Sequence, residues 1–256
     1  DIIIENDNYG SLMSCVKGTI NYSNKNNLIA FKDNSSAIKG FGANKLVVKD
    51  GIYTTENIVT NFTHNAETHN FPTCISPFEG ANTGTGGRIR DTIAVGRGGN
   101  FVSGIVGYAV GELNLDETPD LKLDYPYKEP LNLLIESSNG CSDYGNKIGE
   151  PVTSGFARSF YSEIDGNRVE YIKPILYSAG NGLLLDNNSK KGMGHVGDLI
   201  VRVGGPAYPI GMGGGAASSR NQSTENSDSD YMAVQRGDPQ MENKLCRFVR
   251  VCAELL

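Results

Sequence analysis

Tryptophan is absent from these 256 residues, histidine occurs only three times, and the five cysteines form no C-x-x-C pair. Cys15, Cys74, Cys141, Cys246 and Cys252 are odd in number and scattered, which argues against a disulfide framework or a zinc site and for small buried thiols. Cys74 lies inside a charged motif and is the one position where a reactive thiol has to be weighed. No run of about 18 apolar residues is present to cross a bilayer. The acidic, polar start at Asp1 also lacks the basic-then-apolar order of a signal peptide, so a reducing, cytoplasmic location is expected. Nor is there a lysine-rich block: 23 basic against 29 acidic residues leave a net charge of −6, which disfavours nonspecific nucleic-acid binding.

Glycine, by contrast, is abundant at 32 residues and concentrated between Gly80 and Gly107 and between Gly204 and Gly215. Such clusters mark backbone that turns sharply or approaches something closely. Around them the chain reads as an α/β (α+β) protein. A short helix is expected over S-L-M-S-C-V-K-G-T-I, before a polar stretch that ends near residue 27. Strand-like runs follow in N-L-I-A-F-K, K-L-V-V-K, N-I-V-T-N-F-T and T-I-A-V. A helix is expected over residues 130–138, and strand, turn, strand over E-Y-I-K-P-I-L-Y-S-A-G-N-G-L-L-L. The polar stretch at residues 186–194 is the best candidate boundary, dividing an N-terminal segment (1–27) and a first domain (28–190) from the start of a second (191–256). That second unit is expected to run from a buried strand at G-D-L-I-V-R-V into a glycine loop, then a solvated loop with Asp228 and Asp230. It ends in a helix from Pro239 with Met241, Leu245, Phe248, Val249 and Cys252 at helical spacing. A strand, a loop and a helix do not bury their own apolar faces, so the chain reads as part of a larger polypeptide.

The densest chemistry lies in residues 67–99. Glu67 and His69 share a face if extended, and a carboxylate beside an imidazole can serve as metal ligand and general base. The alternative is a Glu and a His hydrogen-bonded on a solvated face. The stretch from Gly80 through Ala81, Asn82, Thr83, Gly84, Thr85, Gly86, Gly87, Arg88, Ile89 and Arg90 to Asp91 lacks the Gly-Lys-Ser/Thr of a Walker A loop. Read as a loop, its glycines let successive amides converge on an anion. Read as plain structure, it is a flexible turn. Arg88 and Arg90 share a face if extended, where an arginine can fork onto phosphate, while Asp91 suits Mg²⁺. His64 and His195 read as structural.

Taken together, E-T-H-N-F-P-T (67–73), G-A-N-T-G-T-G-G-R-I-R-D (80–91), D-N-S-S-A-I (33–38), G-G-G-A-A-S-S (213–219) and V-Q-R-G-D-P-Q-M-E (234–242) closely resemble the formylglycinamide ribonucleotide amidotransferases, also called phosphoribosylformylglycinamidine synthases. The likeness runs from about Leu28 onward and is nearest to the large single-chain type. It implies an aminoimidazole ribonucleotide synthetase-like domain that lends strands to a β-barrel, followed by the start of a glycine-rich α/β domain. It also implies ATP-dependent conversion of formylglycinamide ribonucleotide to the amidine in purine biosynthesis. The ammonia comes from glutamine through a glutaminase domain of the same polypeptide, and no nucleic acid or membrane takes part.

The same resemblance implies residue roles: His69 as proton acceptor, Glu67 and Asp91 on Mg²⁺, and Thr68, Asn70, Phe71, Arg90 and Gln235 on the substrate. It places the nucleotide, ATP, on residues 80–91 and on Ser154, Gly155 and Phe156. Some relatives carry a second histidine where this chain has Phe71, and an upstream Ser-Glu-His-Cys motif, the glutaminase triad and the second synthetase half are not in this chain. No complete activity is therefore expected of it alone. Two other readings are a different ATP-using member of the superfamily, against which the E-T-H-N-F-P and V-Q-R-G-D-P pair argues, and a nucleotide-holding structural module.

Overall fold

The computed structural model describes residues 1–22, 25–113, 125, 127–205, 214–219 and 221–255. Two residues that take positive φ, followed at once by antiparallel pairing, make a tight hairpin. The chain uses this device three times. Glu5 and Asn6 join β1 (Ile3–Ile4) to β2 (Asp7–Asn8), and Asp50 and Gly51 join β4 (Ser36–Lys49) to β5 (Ile52–Thr68). Asp165 and Gly166 join β8 (Tyr161–Ile164) to β9 (Asn167–Glu170). The expected N-terminal helix is α1 (Leu12–Gly18), capped where the Ser14 amide donates to Ser11 Oγ.

A six-stranded sheet in the order β3-β4-β5-β10-β6-β7 organises the rest, with β3 (Asn27–Ile29), β6 (Asn100–Val110), β7 (Val152–Ser159) and β10 (Ile175–Leu185). Only β6 and β7 run parallel, which their connection through α4 (Pro130–Ile148) allows. One sheet face carries α3 (Pro77–Ala94), entered through the short α2 (Asn70–Ile75), and α4 packs on α3. Helix α6 (Pro239–Leu255) closes this layer, with Cys246 buried against Ile89, Ile93, Tyr144 and Ile148. On the opposite face Ile38, Phe41, Phe62, Val102 and Phe156 remain exposed. Among the described residues the sheet is thus open.

Several expectations give way. T-I-A-V at 92–95 is the end of α3 and the residue after it, not a strand, because Ile93 turns inward with Ile89 on one helical face. The helix from Pro130 runs ten residues further than expected, to Ile148, and stops where Gly149 takes a left-handed conformation (φ 85°). Strand, turn, strand is one strand, β10, in which Gly180 and Gly182 stay extended. The expected buried strand of the second unit is unpaired, with Val196, Leu199 and Ile200 almost fully exposed. Among the described residues no neighbouring strand supplies a ladder for it. Asp230 belongs to α5 (Ser227–Met232), not to a solvated loop; it is buried and accepts from the Tyr125 hydroxyl at 3.0 Å. The glycine loop expected near Gly211 and Gly213 lies outside the described residues.

Candidate active site

The segment expected to be a phosphate-cradling loop is a helix. Residues 80–91 lie wholly within α3, so their amides are used by intrahelical bonds and no anion nest forms there. The glycines serve close packing instead. A β-carbon on Gly80 would stand 2.4 Å from the Thr73 amide nitrogen, one on Gly84 2.9 Å from His69 Cβ, and one on Gly86 2.5 Å from the Tyr144 ring. Gly140 on α4 plays the same part toward α3, where its β-carbon would meet the Phe78 carbonyl at 2.2 Å.

In helical geometry two residues apart means nearly opposite faces, so Arg88 and Arg90 do not share one. Arg88 is fully buried and forks onto the Glu150 carboxylate. Its guanidinium rests over Gly180 and Gly104, register partners on β10 and β6 that lack the β-carbons it would strike. Arg90 donates to Glu242 at 2.5 Å, and Glu242 also accepts from the Tyr144 hydroxyl at 2.6 Å. Burial opposes the Arg90 charge, but Glu242 outweighs it and holds the guanidinium above its ordinary pKa.

β5 ends at Thr68, and at His69 (φ −125°, ψ 72°) the chain turns into α2, so Glu67 and His69 are not neighbours on one extended strand. The His69 ring is held by one hydrogen bond. Its Nδ1–H donates to the Gly80 carbonyl, which leaves the Nε2 lone pair free. Burial holds its pKa below the usual histidine value, with Arg90 pushing the same way against the Gly80 bond. The imidazole is therefore neutral at pH 7. Glu67 is exposed on the sheet face that meets α3, opposite Ser178 in register, while half-buried Asp91 looks back from the helix. Burial and then the nearby Glu67 charge raise the Asp91 pKa, with Arg90 opposing. Among the described residues no cluster of three or more His, Cys, Asp or Glu stands ready for a metal. Two carboxylates with only an arginine between them and neutrality are nonetheless a donor set that Mg²⁺ accepts when phosphates and water complete its shell.

A cavity of about 390 Å³ gathers Thr68, His69, Asn70, Phe71 and Gln235, five candidates that span more than half the sequence. The Thr83 hydroxyl donates to the Gln235 carbonyl at 2.9 Å and so ties that loop to α3. Phe71 also anchors a small core with Ile75, Ala217 and Val234. Lys173 and Ser218 line the same space and were missed from sequence. Ser218 lies in the G-G-G-A-A-S-S run that carries the family resemblance, whereas no local pattern marks Lys173. Ser154, Gly155 and Phe156 are not brought to residues 80–91. They lie on edge strand β7, where Phe156 faces Tyr177 at 6.0 Å and carries the Arg158 guanidinium at 5.1 Å, on the sheet face turned away from α3. Cys74 is buried, and burial pushes its thiol up to about 12, so it is no nucleophile. His64 is an exposed partner of Asn181, and His195 is exposed.

Residues 195–255 match the family described as AIR synthase related protein, C-terminal domain. Over 255 residues the chain is 49% identical to phosphoribosylformylglycinamidine synthase of Dictyostelium discoideum, a match covering 95% of this chain and 19% of that protein. It is 46% identical to the Homo sapiens phosphoribosylformylglycinamidine synthase, again over 95% of this chain and 19% of the relative. Along almost its whole length the chain is similar to phosphoribosylformylglycinamidine synthases, and it spans about a fifth of the length of the curated relatives it matches. Among solved structures, T. maritima PurL complexed with FGAR shares 21% identity at a TM-score of 0.46, covering 76% of this chain and 28% of that one. Among the described residues no helix is long and apolar enough to cross a membrane.

Proposed function

We propose that this chain forms one wall of the ATP-dependent synthetase site that turns formylglycinamide ribonucleotide into formylglycinamidine ribonucleotide in cytoplasmic purine biosynthesis. The observation that carries the reading is the convergence of Thr68, His69, Asn70, Phe71 and Gln235 on one cavity, with the His69 Nε2 lone pair free. In the reaction ATP phosphorylates the glycinamide carbonyl oxygen, ammonia from glutamine adds to that carbon, and phosphate leaves, while the formyl group is unchanged. The neutral His69 takes a proton from the attacking nitrogen, which is the task of a base whose pKa lies at or below working pH.

Mg²⁺ held between Glu67 and Asp91 would supply charge neutralisation for the nucleotide's phosphate oxygens. Because the amides of α3 are occupied, contacts from residues 80–91 to ATP fall to the outward, partly exposed side chains of Arg90 and Asp91. The second synthetase half and the glutaminase of the same polypeptide complete the machinery, with residues 28–190 and 191–256 as parts of two domains. The open sheet face, with its exposed Phe41, Phe62 and Phe156, is the surface on which a barrel would close.

The test is His69→Ala in the full-length polypeptide. Amidine synthesis is lost while ATP binding persists; retained turnover would favour a purely structural nucleotide module. The chain alone, given ammonia and ATP, makes no product, and measurable synthesis would overturn that part of the reading.

A further inference from the structure

We infer that Lys173 is the cation that holds the phosphate monoester of the nucleotide substrate in the His69 cavity; this rests on the function proposed above. The family resemblance places Arg90 on the substrate, where its guanidinium would be the first choice for the phosphate. In the structure the Arg90 guanidinium is bound to Glu242 and is not among the groups lining the cavity. Arg88 is sealed beneath the sheet on Glu150. Lys173 is the only charged side chain among the described lining residues, and no described carboxylate pairs with it. The remaining lining brings two hydroxyls from Thr68 and Ser218, two carboxamides from Asn70 and Gln235, the His69 imidazole, and the apolar Phe71, Pro72 and Ala233. An unopposed ammonium in such a setting selects an anion.

A second observation bears on what the anion is attached to. The side-chain oxygen of Asn70, a residue that lines the same cavity, is buried without a hydrogen-bond partner. A buried acceptor left empty is costly, and it calls for a donor on the ligand. A ligand that carries both a phosphate and hydroxyl donors satisfies Lys173 and Asn70 at once, and a ribose phosphate has both. A volume of about 390 Å³ lies in the range of small-ligand pockets. Lys173 sits two residues before β10, whose first strand residue is Ile175, and the Leu176 carbonyl accepts from the His69 amide at 2.9 Å. The phosphate-holding residue and the base are thereby joined through one backbone ladder.

The experiment compares Lys173→Met and Lys173→Arg with the unsubstituted enzyme, each as the full-length polypeptide. Lys173→Met is expected to raise KM for formylglycinamide ribonucleotide roughly 10- to 100-fold while kcat and the KM values for ATP and glutamine hold. Lys173→Arg is expected to recover most of that loss. Ribose 5-phosphate used as a competitive inhibitor weakens by the same factor on Lys173→Met, whereas ribose does not change. Lys173 is partly exposed, so the melting temperature stays put and separates this effect from misfolding. A fall in kcat at unchanged KM would assign Lys173 to the transferred phosphoryl group and overturn the inference, as would unchanged ribose 5-phosphate inhibition. If the unsubstituted full-length protein fails to make the amidine, the functional reading has failed. If it succeeds and Lys173→Met is silent, only the present inference has.

Discussion

Gly84 lies directly against His69, so close that a β-carbon on the glycine would stand 2.9 Å from the histidine's own. The helix owes its place beside the imidazole to that missing atom. Alanine is the better helix former by about 1 kcal/mol, yet here its methyl must displace His69 or Leu176. Gly84→Ala is expected to lose about 1–2 kcal/mol net and to cut turnover in the full-length enzyme by at least an order of magnitude. Gly87→Ala is the control, since its nearest new contact is the Arg90 side chain at 3.5 Å. It should gain about 0.5–1 kcal/mol and leave activity alone. Thermal unfolding and initial rates of the two variants check the contrast.

The buried fork between Arg88 and Glu150 yields a second test. Both side chains are wholly inaccessible, and removing one leaves the other charged with no water to turn to. Arg88→Leu or Glu150→Leu should each cost about 3–5 kcal/mol, and the double replacement should cost clearly less than the sum. A double-mutant cycle by urea unfolding measures this; strictly additive losses would mean that the pair does not act as a unit.

The thiols give a pH prediction. Burial raises both Cys74 and Cys246 from 9.0 to about 12, so the folded state holds protons that the unfolded chain has released. Their contribution is fully present below pH 9 and is lost as pH climbs from 9 toward 12. Stability should therefore fall across that window by up to about 1.4 kcal/mol per pH unit for each thiol. Cys74→Ala should flatten the slope by one thiol's share. At pH 8, iodoacetamide should reach the partly exposed Cys15 and Cys252 well before Cys74.

Glu67 and Asp91 repel each other across the gap between β5 and α3. In the full-length enzyme, Glu67→Gln and Asp91→Asn should each weaken Mg-ATP binding by roughly tenfold or more. Isothermal titration with Mg-ATP decides it, and unchanged affinity in both variants would remove the metal assignment.

Much of this was readable in the sequence, and what was not has definite causes. The E-T-H-N-F-P and V-Q-R-G-D-P runs signalled residues that do reach one cavity. The polar breaks and the Pro239 start located β4, β5 and α6. The glycine-rich run misled because glycine in a helix and glycine in a loop look alike until the neighbours are known. Gly80, Gly84 and Gly86 are required by Thr73, His69 and Tyr144, which lie as far as 58 residues away. Arg88 and Arg90 were read with a two-residue period, and a helix sends them apart. Lys173 carried no local mark at all. Its proposed role comes from lining the cavity with no described carboxylate paired to it, which only tertiary structure can reveal.

The slot formed by Gly104 and Gly180 has a mechanical consequence. With the Arg88 guanidinium keyed into it and pinned by Glu150, α3 can neither slide along the sheet nor roll upon it without driving a charged group into main chain. The helix and the strands beneath it behave as one stiff plate on which Asp91, Glu67 and His69 are mounted at fixed spacing. Opening and closing over a substrate must then come from whatever docks against this plate, with the plate itself as the stationary anvil.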